Sequence, residues 1–328
     1  MSNTIGYQRF KHYLNILQPI LAEADNSKTP AVFLYEKGIR TQFFMLEALS
    51  RVYENLHNKK TFGKLKDRFK LVEDLLGAVD YYDAFVKQFA KDKKIPATIK
   101  KYLVAQRDYK LALLEQTLRT DGWIGDDNHR IRKINAKLEE ADWLPEKDDC
   151  KQIRKLYKKT IVSIKADIDS NEIDFNNVEE DVHELRRELR WLSIYPQCFG
   201  GLFQLDKTAE PDEILEKYQT PEIVNSAFNK MPPADGLSET ILLDAANFYA
   251  LSWMIAELGT LKDNGLKIEV LKEAILATGE QSETEAEIKA FELSGEGQLS
   301  IADILVLAKK ISDRYFAEGS VESLVISS

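Results

Sequence analysis

An all-α chain is the fold class the sequence predicts, on three observations. Apolar residues recur every three or four positions over most of the length. Gly (15) and Pro (9) are scarce among 328 residues, which speaks against a turn-rich β protein. No run with period-two alternation stands out as a strand.

The elements follow in order. Phe10, Tyr13, Leu14, Leu17 and Leu21 set helical spacing over 5–24, and the run Asn26–Pro30 breaks it. A second helix is expected over about 32–57. A third runs over about 62–91, where Leu65, Phe69, Val72, Leu76, Val79 and Val86 keep the rhythm. Pro96 opens a fourth at the first helical position, where its missing N–H costs nothing, and that helix runs to about Arg119. Four long helices on short connectors read as an antiparallel bundle. The DGWIGDD run at 121–127 is a turn, 130–141 is a charged helix, and Trp143–Pro145 marks the boundary between halves.

The second half opens with a helix over 148–170, striped by Ile153, Leu156, Tyr157, Ile161, Ile164 and Ile168. Lys151, Arg154, Lys155, Lys158 and Lys159 crowd its other surface. They form either a solvated face or a second basic wall facing the helix that starts at Val182. That helix is expected to run to about Leu205. A polar excursion over 207–236 holds short helices at 211–218 and 221–229. Then come a nearly all-round apolar helix over 238–262, a shorter one over 265–277, and one over 300–317. The organisation expected is a first bundle over 1–145, a second over 146–278, and a C-terminal helix–turn–helix extension over 279–328.

Composition narrows the function. Net charge is −9, so the chain has no global attraction for nucleic acid or an anionic membrane. Any polyanion site is a local basic patch. The two cysteines, Cys150 and Cys198, lack metal-ligand spacing and suit a reducing compartment. The N-terminal MSNTIGYQRFKHYLN lacks the apolar core of a signal peptide, and 241–258 is too polar and short for a membrane span. A cytoplasmic protein is expected, without sequence-specific nucleic-acid or membrane partners.

The chemistry concentrates in Val182–Pro196, VHELRRELRWLSIYP. His183, Arg186 and Arg190 fall at i, i+3 and i+7, with Arg187 beside them, so cations and an imidazole share one side of a helix. Leu185, Leu189 and Leu192 face a core. Guanidinium forks pair bidentately with phosphate oxygens, and a linear polyanion needs such a row of donors. The plain alternative is a solvated face on which Glu184 and Glu188 pair with the arginines, and a His183 hydrogen-bonded at a bundle seam.

An internal repeat gives this helix a counterpart. KGIRTQFFMLEAL (37–49) aligns with HELRRELRWLSIY (183–195): Lys37 with His183, Arg40 with Arg186, Leu46 with Leu192. Downstream, LLGAVDYYDAF (75–85) and ELGTLKDNGL (257–266) share Leu-Gly followed by small, aliphatic and acidic residues. A duplicated helical bundle is the economical reading.

H-x-L-R-x-x-x-R in the second half, with L-G-x-[VL]-x-D or near variants in both, resembles the conserved histidine α-helical domain, the CHAD family. The resemblance spans most of residues 30–275. It implies two pseudo-symmetric four-helix bundles with a basic cleft between them, and non-catalytic binding of inorganic polyphosphate or a similar phosphate-rich anion. Carried over by position, it assigns anion binding to His183, Arg186, Arg187, Arg190, Lys37 and Arg40, with Asp83 and Asp263 as supporting acids. The chain departs from the family at Lys37, where the pattern has histidine, and at Phe44, opposite Arg190. It also departs in its net acidity. The alternative is a helical interaction or scaffold protein that keeps the fold without polyphosphate binding, its protein partner unspecified.

Other chemistry is thin. H-E-x-x-H fails because position 187 is Arg187, and no phosphate-binding glycine loop or nucleophile elbow appears. No catalytic residue, metal site or cofactor is expected. Residues 292–303 have the spacing of a calcium-binding loop, but with Glu292, Ser294 and Asp303 at ligand positions, and read as a glycine-made turn between helices.

Overall fold

In the computed structural model, residues 4–125, 128–170, 172–208, 213–279 and 281–326 are described. The chain is 73% helical, and thirteen α-helices and two short parallel strands lie among the described residues. The all-α class therefore holds. The chain divides into two compact units, one of 1–145 with 270–293, the other of 146–269 with 294–328.

The first unit contains α1 (Ile5–Asp25), α2 (Pro30–Glu36), α3 (Arg40–Leu56), α4 (Lys59–Phe89), α5 (Ala97–Thr120) and α6 (His129–Glu139). The expected helix over 32–57 is two, because Gly38 turns the chain at φ 65°. That conformation is open to glycine at little cost. Pro96 is the cap before α5, with φ −55° and ψ 145°, rather than its first helical residue. Its extended ψ sets the entry angle while Ala97 begins the hydrogen-bonded turn. Asn58 caps α4 by accepting from the Thr61 N–H. The expected turn at 121–127 is described to Gly125; Asp126 and Asp127 lie outside the described residues.

Aromatic side chains fill this core. Trp143 lies 5.2 Å from Tyr53, 5.6 Å from Phe62 and 5.9 Å from Phe10, ring centre to ring centre. Its Nε1 donates to the Leu138 carbonyl at 2.8 Å. Gly6 permits the approach, since a Cβ there would meet the Trp143 ring at 2.4 Å. The segment that reads as a mere break is thus an aromatic plug.

The second unit contains α7 (Glu146–Asp169), a π-helical turn (Val178–His183), α8 (Glu184–Cys198), β1 (Phe203–Asp206), α9 (Glu213–Glu216), α10 (Pro221–Val224), a 3₁₀ turn (Ala227–Asn229) and β2 (Ile241–Asp244). α11 (Ala245–Thr278) follows; α12 (Glu283–Ser294) lies almost wholly in the first unit and α13 (Ile301–Ala317) in the second. Residues up to Glu269 of α11 belong to the second unit, and those from Val270 to the first.

Three expectations change here. The helix from Val182 stops at Cys198, because Gly200 and Gly201 adopt φ 56° and 87°. The chain then runs into β1, which pairs in parallel with β2, Phe203 opposite Ile241. Strands of four residues are too short to show alternation, and a parallel pair requires the long crossover that 207–240 supplies. The helices expected at 238–262 and 265–277 are one, starting at Ala245. Gly265 sits inside it because a Cβ there would come within 2.9 Å of Val178. Of the short helices expected over 211–218 and 221–229, α9, α10 and the 3₁₀ turn form; residues 209–212 lie outside the described set.

Gly201 is the tightest backbone point in this unit: a Cβ would lie 2.1 Å from the Pro233 carbonyl oxygen. Gly201→Ala combines that clash with a left-handed φ. We expect it to cost about 2 kcal/mol or more, read as a lower midpoint of urea unfolding.

The loop between α12 and α13 is built as a capped turn. Ser300 and Asp303 bond reciprocally, at 2.6 Å between side chains and 3.1 Å to the Asp303 N–H. The Lys267 ammonium sits on the Ser294 carbonyl. Two of the ligand positions of a calcium-like loop, Ser300 and Asp303, are thus bonded to each other.

Candidate anion-binding site

The cationic helix of the second unit is positioned by a built lead-in. Phe175, buried, takes φ 58° and reverses the chain. Asp181 then accepts from the backbone N–H of Asn176 and of Asn177, each at 2.8 Å. Asn177 in turn caps the π-helical turn by accepting from Glu179 and Glu180 at 2.8 and 3.1 Å. The turn presents His183 at the entrance to α8. Val178 and Val182 anchor it in the core. Wide turns of this kind often occur at functional sites.

His183 Nδ1 lies 2.8 Å from the Glu179 carboxylate. That bond holds the Glu179 carboxyl below its ordinary value despite partial burial, with the charges of His183, Lys262 and Arg187 adding to it. Arg187 pairs with Glu184 at 2.5 Å. Arg186 differs from both. Its Nε donates to the Ile255 carbonyl at 3.1 Å, and its guanidinium lies over Gly259, where a Cβ would come within 2.9 Å. Burial pulls its pKa down from the ordinary arginine value, and the nearby charge of Asp263 opposes that. Among the described residues Arg186 has no carboxylate within ion-pair distance. Asp263 itself pairs with Lys262 at 3.1 Å. Arg190 lies one helical turn beyond Arg186, partly buried on α8.

The first unit treats the aligned residues differently. Arg40 Nε bonds Glu73 at 2.8 Å, and its Nη1 bonds Asp80 at 2.7 Å. The guanidinium again lies over a glycine, Gly77, whose Cβ would meet Nη2 at 2.6 Å. Lys37 lies 3.8 Å from Glu23 and 5.0 Å over the Phe33 ring. Asp83 does not reach Arg40. It accepts from the Tyr35 hydroxyl at 2.9 Å and pairs with Lys87 at 2.6 Å and Arg107 at 3.6 Å.

The structure thus brings His183, Arg186 and Arg187 together at one helix entrance, with Asp263 beside Arg186. It gives Lys37, Arg40 and Asp83 separate partners in the other unit. Glu73 escapes a sequence reading because nothing in a linear pattern pairs Arg40 with a carboxylate 33 residues away, whereas Glu179, four residues before His183, stands at a helical pairing distance that the sequence does show. The Leu-Gly motif was visible; its physical reason, a glycine on which an arginine lies flat, was not. The lysines of α7 point outward, opposite the buried Ile153, Tyr157, Ile161 and Ile164. Tyr157 donates to the Leu192 carbonyl at 2.7 Å, well along α8 from His183, so these lysines do not line its entrance.

Asp83 provides a test in acid. Burial alone raises its carboxyl, but Lys87, Tyr35 and Arg107 outweigh that and hold it below its ordinary value. A depressed folded-state pKa contributes stability above the unfolded value, about 4, and loses it as pH falls through the lower folded value. Asp83→Asn should cost about 1–3 kcal/mol at neutral pH. Its melting temperature should also fall less steeply than that of the parent between about pH 4 and 2.

No protein-family model, curated protein or solved structure matches this chain. Among the described residues, no cluster of His, Cys, Asp and Glu could hold a metal ion, and no helix is long and apolar enough to cross a membrane.

Proposed function

We propose that this chain is a divergent relative of the CHAD domains that binds inorganic polyphosphate or a similar phosphate-rich anion without catalysis. The anion site is the entrance of α8, with Arg186 as anchor and His183, Arg187 and Arg190 beside it. The observation that carries this reading is Arg186 itself. It is fixed by the Ile255 carbonyl through Nε, and among the described residues no carboxylate meets its terminal nitrogens. A guanidinium held in place pays little further entropy on meeting a phosphate. Packing of Arg40 on Gly77 and of Arg186 on Gly259, at positions that align in sequence, supports an internal duplication.

A second reading is favoured by one observation. Arg40 carries two carboxylates of its own unit and Lys37 a third. On that pattern the duplicated fold persists as a helical interaction or scaffold protein whose cations are held by its own carboxylates. The two readings part on one assay, binding of long-chain polyphosphate by the whole chain and by Arg186→Ala. Binding that Arg186→Ala weakens supports the first; no binding at low salt leaves the second. A cytoplasmic setting fits the first reading.

A further inference from the structure

α7 carries a charge pattern that its own unit does not resolve. Lys151, Lys155, Lys158 and Lys159 are all exposed, and among the described residues none makes a hydrogen bond or ion pair. Their spacing stacks like charges at i, i+3 and i+4, which destabilises a helix. Asp148 lies on the same stripe one turn before Lys151, and Asp169, at its far end, is taken by Lys165; over the turns from Lys151 to Lys159 the stripe carries no acid. At 100° per residue, Val162 falls between Lys151 and Lys155 on the helix surface, and it is 67% exposed. The face is therefore an apolar centre with lysines on both sides.

α12 has the reverse pattern. Ile288 and Phe291 are 58% and 41% exposed, and at helical spacing they bracket Thr284 on one stripe. Glu283 and Glu287 flank the stripe on one side, Glu285 and Glu292 on the other. Glu285 is used by Ser282 and Glu287 by Lys272, while Glu283 and Glu292 have no partner among the described residues. Ala286 and Ala290 bury the opposite face. Apolar centres flanked by opposite charges are the arrangement by which paired helices choose partners.

We propose that the α7 face of one copy docks the α12 face of a second copy, a head-to-tail contact with Val162 against Ile288 and Phe291 and the lysines against Glu283 and Glu292. Such a contact uses two different surfaces, so it does not by itself limit assembly to a dimer.

Sedimentation velocity on the full chain tests it. At low salt the sedimentation coefficient rises with protein concentration, and at about 0.5 M salt, where screening acts within a few ångströms, it falls back to the monomer value. Lys155→Glu/Lys158→Glu/Lys159→Glu abolishes the rise, as does Glu283→Lys/Glu292→Lys. Mixing the two variants restores it, because the reversed α7 of one meets the reversed α12 of the other. Circular dichroism confirms that each variant is folded. A monomer at every concentration overturns the proposal, as does association that survives either reversal. A monomer that instead binds polyphosphate through the α7 lysines assigns the face to a polyanion and overturns it equally.

Discussion

Trp143→Ala should destabilise the chain by about 3–5 kcal/mol, among the largest effects expected of any single substitution here. The indole is nearly buried and lies against Phe10, Tyr53, His57 and Phe62. Truncation removes all four ring contacts and opens a void that a packed aromatic core closes only in part. It also leaves the Leu138 carbonyl without its Nε1 donor, and unmade buried hydrogen bonds carry their own cost. Trp143→Phe keeps most of the ring area and loses the donor. It should cost about 1–2 kcal/mol, which separates the two terms. Denaturant unfolding monitored by far-ultraviolet circular dichroism reads both. A loss under about 1 kcal/mol for Trp143→Ala would mean that this residue packs at an edge and not in the core.

The second large effect concerns the anion. Arg186→Glu/Arg190→Glu should lower polyphosphate affinity by at least about a hundredfold at low salt. Hydrogen bonds to charged groups contribute about 1.5–3 kcal/mol each, and about 1.4 kcal/mol is a factor of ten. Charge reversal adds repulsion to those losses. Arg186 is largely enclosed beside Asp263, so a glutamate there also strains the fold. Arg190→Glu alone and Arg186→Lys serve as milder variants. Each should weaken binding about tenfold while leaving the melting temperature within a few degrees of the parent. Arg40→Ala should do the opposite. It frees Glu73 and Asp80, lowers stability, and moves affinity little, because that guanidinium is already occupied.

Much of the architecture could be read from apolar spacing alone. The long helices α1, α4, α5, α7 and α13 carry strict three–four periodicity, and their bounds follow it to within a few residues. Elements set by backbone conformation escaped. Gly38 splits one expected helix, and Gly200 with Gly201 ends another, because positive φ leaves no mark in an apolar pattern. Asp263-Asn-Gly265 reads as a stop, yet it lies inside α11, where tertiary packing on Val178 outweighs weak helix propensity. The π-helical turn was invisible for a related reason: it alters the hydrogen-bond register while His183, Arg186 and Arg190 keep their spacing.

The candidate site was legible as a row of cations and illegible as an electrostatic environment. His183, Arg186 and Arg187 stand together as their spacing implies. What spacing cannot say is which of them a carboxylate already holds. Glu179 and Glu184 take His183 and Arg187 through i, i+4 and i, i+3 pairs on their own helical stretch. Glu73 and Asp80 reach Arg40 from another helix. Only the three-dimensional pairing separates Arg186 from Arg40, two residues that the proposed repeat aligns.

The most direct measurement of the central claim is a titration of the whole chain with long-chain polyphosphate at about 50 and 200 mM salt. Binding through several cations displaces condensed counterions, so affinity should fall steeply between the two, by at least about tenfold. The account predicts binding at the lower salt, a steep loss at the higher, and a shallower salt slope in Arg186→Glu/Arg190→Glu. Absence of binding at the lower salt, or binding that the double reversal leaves unchanged, would contradict it.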